Sequence, residues 1–116
     1  MTLGVTNTSD HSALATALAG QPLELLILNV GVYLDKNDDL KTGFAPSLWT
    51  QTFAVNVRGV FLTGQSLLPN LTEAQNLKIT IISSQIEPHT RGLGGSYIYR
   101  CQRLQCLILG AILLLI

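Results

Sequence analysis

A chain of 116 residues is long enough for one small domain with an apolar core and too short for two. Seven basic and seven acidic residues cancel, so no charge field points to nucleic acid, an anionic membrane surface or an acidic substrate. A hydrophobic fraction of 47% against 12% charged residues excludes a disordered chain.

Cys101 and Cys106 stand five positions apart without companions, which is neither a disulfide framework nor a zinc spacing. Met1-Thr2-Leu3-Gly4-Val5 has neither the basic nor the apolar region of a signal peptide, so a cytoplasmic protein is expected.

In chain order, Leu3-Gly4-Val5 reads as a short strand. Thr8, Ser9 and Asp10 offer N-caps to a helix whose apolar face is Ala13, Leu14, Ala17 and Leu18, with Gly20 and Pro22 as its stop. Leu23 to Leu28 is a nearly continuous apolar run, as expected of a strand buried on both faces of a parallel sheet. Residues 32 to 44 are polar. Asp35, Asp38 and Asp39 do not have calcium-loop spacing and read as solvated, so no metal is expected.

Pro46 suits the first turn of a helix. Trp49, Phe53, Val57, Val60 and Phe61 recur at helical steps towards Leu68 and read as core, and Pro69 reads as the stop. Lys78 to Ser83 is a second buried strand, followed by a Gly-containing loop. The apolar run from Leu104 to Ile116 is broken by Gly110 and is shorter than the roughly 20 residues of a spanning helix. Alternating helices and strands predict an α/β fold with parallel strands.

Four segments in this order resemble the short-chain dehydrogenase/reductase family. Leu25-Leu26-Ile27-Leu28-Asn29-Val30-Gly31 resembles the strand and turn usually written Asn-Asn-Ala-Gly. By that resemblance Asn29 and Gly31 lie beside the cofactor. Trp49-x-x-x-Phe53-x-Val55-Asn56-Val57-x-Gly59-Val60-Phe61 is the most specific match. It implies that Asn56 is the catalytic-tetrad asparagine, which holds a helix kink and a water in a proton relay. Ile79 to Ser84 resembles the strand that delivers the catalytic serine, here Ser84. Ser96-Tyr97-Ile98-Tyr99-Arg100 resembles the approach to the Tyr-x-x-x-Lys motif, above all in C-factor-like members. Tyr99 is then the catalytic tyrosine, fifteen positions after Ser84, and Arg103 stands at the lysine position.

The resemblance implies a partial Rossmann-like sheet and NAD(P)-dependent oxidation or reduction of a hydroxyl/carbonyl pair, with a small carbonyl or alcohol as substrate. Tyr99 and Arg103 would also touch the cofactor. Such chemistry needs a hydride donor and a proton for the developing alkoxide. A tyrosine with a reference pKa of about 10 supplies that proton once a neighbouring cation favours its ionised form.

The Gly-rich turn Thr-Gly-x-x-x-Gly-x-Gly, which binds the dinucleotide, has no counterpart in the sequence. Leu3-Gly4-Val5-Thr6 resembles the family's third strand, with Gly4 in place of the adenine-contacting Asp. The first β-α-β unit is therefore expected to be missing. The resemblance spans residues 1–100, and 101–116 is an apolar tail, with a frameshift after Arg100 as the suggested origin. The expectation is a truncated, inactive relative. The alternatives are an interaction module, paired through the helix at 57–68 with itself or an intact relative, and a small protein held at a membrane by the tail.

Overall fold

The computed structural model describes residues 2–38, 40–82, 98 and 101. Its elements are α1 (Thr8–Ala17), β1 (Leu25–Leu28), α2 (Pro46–Phe53), a π-helical segment (Ala54–Gly59), α3 (Val60–Ser66), α4 (Leu68–Thr72) and β2 (Lys78–Ile81).

β1 and β2 pair in parallel, in the register Leu25–Lys78 to Leu28–Ile81. Lys78 N–H donates to Glu24 O at 2.8 Å and Ile82 N–H to Leu28 O at 2.9 Å, which extends the ladder at both ends. The crossover between the strands is the helical stretch from Pro46 to Thr72, as parallel strands require. The expected strands at 23–28 and 78–83 are therefore direct neighbours.

The first strand was expected to be buried on two faces and the second to be buried, and the structure corrects both. Burial alternates along each strand, with Leu26, Leu28, Ile79 and Ile81 inward. Leu25 and Ile27 are 54% and 53% exposed. Side chains alternate across a strand, so a sheet covered on one face exposes every second residue.

Leu3-Gly4-Val5 is not a strand but the approach to a turn. Its polar groups are taken up locally. Gly4 N–H donates to Asp10 Oδ2 at 2.8 Å, Asn7 N–H donates to Gly4 O at 2.8 Å, and the His11 ring donates from Nε2 to Val5 O at 2.8 Å. The N-cap of α1 is Asn7 rather than the residues after it, because its Oδ1 accepts from Ser9 N–H at 3.0 Å. The inward face carries His11, Leu14, Ala15 and Leu18, while Ala13 and Ala17 are exposed. Gly20, at φ 72°, makes the left-handed turn after α1. Asn70 holds that turn by donating from Nδ2 to Leu18 O and Gln21 O.

The helical stretch expected between Pro46 and Leu68 is present and divides into α2, the π-helical segment and α3. Pro46 opens α2 at its first turn. Pro69 does not end a helix: α3 ends at Ser66, and Pro69 sits in the first turn of α4, where its missing N–H costs nothing. Trp49 and Phe61, expected in the core, are 38% and 36% exposed. Trp49 instead pairs with Phe53, ring centroids 6.1 Å apart. The buried apolar side chains are Leu28, Val60, Leu67, Leu71 and Ile98. No helix among the described residues is long and apolar enough to cross a membrane, and the tail at 104–116 lies outside them.

Candidate functional site at the strand ends

Three parts of the chain meet beyond the carboxyl end of β1: the loop after Leu28, the π-helical segment, and Ile98. Asn56 joins the first two. Its side-chain Nδ2 donates to Val32 O at 2.8 Å, and its Oδ1 accepts from Val32 N–H at 2.7 Å. A primary amide presents a donor and an acceptor side by side, as a peptide unit does, so one buried side chain stands in for a strand partner of Val32.

The π-helical geometry belongs to the same arrangement. A π turn adds a residue to the helical repeat and alters which side chains face inward, a feature frequent at functional sites. Asn56 lies in its middle and is buried. Gly59 closes the segment against the turn at Val5, where an added Cβ would lie 3.0 Å from Val5 Cγ2 and 3.1 Å from Val5 O. Glycine at 59 lets helix and turn touch.

Asn29 and Gly31, expected beside the cofactor, are both exposed on the loop after β1. A Cβ at Gly31 would be 3.8 Å from Asn56 Oδ1, an ordinary contact, so Gly31 borders the clamp without being required for it. Ser84, Tyr99 and Arg103 lie outside the described residues. Their nearest described neighbours are Ile82, bonded to the end of β1, Ile98, which is fully buried and helical, and Cys101, which is helical and exposed.

Asp35 holds Ile98. Its carboxylate, expected in a solvated loop, is 0% exposed, and Oδ2 accepts from Ile98 N–H at 3.0 Å. Oδ1 is buried without a hydrogen-bond partner among the described residues. No local signal marks this burial, because Asp35-Lys36-Asn37-Asp38 has the composition of a surface loop. No group of three or more His, Cys, Asp or Glu gathers at metal-binding range among the described residues.

Gly4, which the resemblance sets at the place of the adenine-contacting Asp, is bonded to Asp10. Asp10 Oδ2 takes Gly4 N–H, its Oδ1 accepts from Asn7 Nδ2 at 3.1 Å, and a Cβ at position 4 would lie 3.0 Å from Asp10 Oδ2. With no Gly-rich turn in the sequence and this corner occupied, the residues present do not fit a whole dinucleotide.

None of the curated proteins matches the chain in sequence. Among solved structures, the chain is similar to the proposed carbonyl reductase Sniffer of Caenorhabditis elegans, at 23% identity and a TM-score of 0.80, over 97% of this chain and 55% of that one. A proposed short chain dehydrogenase from Escherichia coli CFT073, complexed with NADPH, matches at 22% identity and a TM-score of 0.68, over 91% and 43%. A metagenomic short-chain oxidoreductase in complex with NADP matches at 22% identity and a TM-score of 0.71, over 92% and 48%. These likenesses establish the Rossmann-like α/β fold, and the chain spans about half the length of the solved relatives it matches. The family model for short chain dehydrogenases matches residues 1–98, and the chain belongs to that family.

Proposed function

We propose that these residues form part of an NAD(P)-dependent oxidoreductase unit acting on a small hydroxyl/carbonyl pair in the cytoplasm, nearest to the C-factor-like members of its family. We further propose that the 116-residue chain by itself binds no dinucleotide and turns over no substrate. The Asn56–Val32 clamp carries the first part. It sets the asparagine of the Val55-Asn56-Val57 motif at the carboxyl ends of parallel strands, where open α/β sheets place their ligands.

In the family the dinucleotide supplies the hydride. The roles proposed for this chain's own residues follow from their chemistry. The Ser84 hydroxyl donates to the substrate's carbonyl oxygen, and Tyr99 transfers the proton. Arg103 provides a cation at the lysine position, but a planar guanidinium lacks the compact ammonium that also holds the ribose. Asn29 and Gly31 form the cofactor-side rim.

Inactivity of the isolated chain rests on placement. Correct positioning of reactants contributes roughly 7–11 kcal/mol to lowering a barrier, and a proton donor without a held hydride donor forfeits it. The test is calorimetric titration of the folded chain with NADH and NADPH. No binding is expected, and micromolar binding of either would overturn the inactivity.

The family-like unit is proposed to end at 100 and the apolar tail to occupy 101–116, a division supported by a family match that stops at residue 98. A frameshift after Arg100 is tested by reading the flanking DNA in all three frames for a Lys-containing continuation. A second reading, pairing through 57–68 with another copy or an intact relative, is favoured by the exposure of Phe61 on α3. Co-purification with the relative, lost in Phe61→Glu, checks it.

A further inference from the structure

We infer that the groove between α1 and the α3–α4 segment is a binding site for a small linear aliphatic amine, such as a diamine or polyamine. Two adjoining hollows of about 280 and 180 Å³ lie along it and share Ala15 and Ser66. The larger is bordered by His11 and Ser12, the smaller by Asn70 and Glu73. Each is smaller than the roughly 300–1,000 Å³ of a drug-sized ligand's cleft, so the pair suits a thin ligand lying across both. Ser12, Ala15 and Ala19 recur at three- and four-residue steps along one side of the groove, and Ser66, Asn70 and Glu73 do so along the other.

The polar groups along this groove are mostly acceptors. Ser12 Oγ donates to Thr8 O at 3.2 Å and Ser66 Oγ to Thr63 O at 3.0 Å, which leaves each hydroxyl with lone pairs only. Asn70 directs Nδ2 at both Leu18 O and Gln21 O, which leaves its Oδ1. His11 is 4% exposed, and its Nε2 donates to Val5 O. Its Nδ1 is then an acceptor, buried without a hydrogen-bond partner among the described residues. Glu73 is acidic and exposed at the far end, and no described lysine or arginine borders either hollow. The side-chain donors left over, on Thr8 and Gln65, stand at the larger hollow alone. Ala15 and Ala19 supply an apolar middle. A ligand with donors at its ends and methylenes between them matches this order, with a positive end at Glu73. The net charge of the chain is zero, so a cation meets no general attraction and its selection falls to the groove.

The experiment is a titration of the 15N-labelled full chain with spermidine at physiological ionic strength, followed by nuclear magnetic resonance. The amide signals of Ser12, Ala15, Ser66 and Glu73 should shift together and saturate, while those of Glu24 and Asp38, acidic residues outside the groove, stay in place. Shifts that fail to saturate, or that spread equally to Glu24 and Asp38, overturn the proposal. A neutral diol of the same length should bind about fivefold more weakly or worse, and equal binding overturns the choice of a cation. N-acetyl-lysine methylamide stands for a lysine side chain of a partner protein and carries one ammonium. It should also bind more weakly, and binding as tight as that of spermidine overturns the free amine as occupant. Glu73→Gln should weaken spermidine about three- to fivefold, as loss of an exposed ion pair does. Ala15→Leu keeps a good helix former and sets a larger side chain between the two hollows, so it should abolish the shifts at Ser66 and Glu73. If Ala15→Leu does not fold, Ala19→Leu, at an exposed position in the smaller hollow, takes its place and should weaken binding. Undiminished affinity in either folded variant overturns the site.

Discussion

The side-chain amide of Asn56 and the backbone of Val32 bond reciprocally, at 2.7 and 2.8 Å across 24 positions of sequence. The pair fastens the π-helical segment to the loop after β1.

Asn56→Leu should therefore destabilise the fold by about 2–4 kcal/mol, because Val32 loses a donor and an acceptor partner at a part-buried position. Asn56→Asp should cost a similar amount, since it keeps the acceptor for Val32 N–H but sets a carboxylate oxygen against Val32 O. Urea unfolding of the three proteins measures both. A loss under 1 kcal/mol for either would mean that water replaces the clamp readily.

Gly59→Ala should also destabilise, by about 1–3 kcal/mol, although alanine is intrinsically the better helix former. The added methyl would lie 3.0 Å from Val5 Cγ2 and 3.1 Å from Val5 O. Val5→Ala removes the first contact and leaves those with Val5 Cβ and Val5 O, each at 3.1 Å. The double mutant should then recover part of the loss, a coupling readable from a double-mutant cycle.

Asn70 donates to both Leu18 O and Gln21 O, and its own carbonyl accepts from Leu23 N–H at 2.9 Å. Asn70→Ala leaves two carbonyls in the turn before β1 without their donor and should cost about 2–3 kcal/mol. Asn70→Asp should be no better, because it turns a donor into an acceptor facing two acceptors. Thermal unfolding followed by circular dichroism ranks the two variants against the parent.

Leu25 and Ile27 project from the open face of the sheet, each more than half exposed. An apolar patch of this kind promotes association. Leu25→Thr with Ile27→Thr keeps residues compatible with strands and should reduce concentration-dependent light scattering, with a stability change within about 1 kcal/mol. A large loss of stability instead would mean that this face is covered in solution.

Two apolar runs joined by a helical crossover were enough to determine the parallel α/β class, because hydrophobic period and turn residues act locally. Asn56 was singled out by the family resemblance of the Trp49-to-Phe61 segment and not by local pattern, whereas Pro46 marked a helix start by its fixed φ and missing N–H. Other features depended on partners far away in sequence. Asp35 resembles any loop acid until the Ile98 amide arrives from 63 positions away. His11 is an unremarkable helix residue until Val5 O meets its ring. Leu3-Gly4-Val5 has the composition of a strand, yet it has no strand partner among the described residues, and Asp10 and His11 satisfy its backbone instead. The burial of one strand face and the exposure of the other were likewise set by which elements stand beside the sheet. Local pattern fixes what an element is, whereas burial and hydrogen-bond partners depend on what the rest of the chain places next to it.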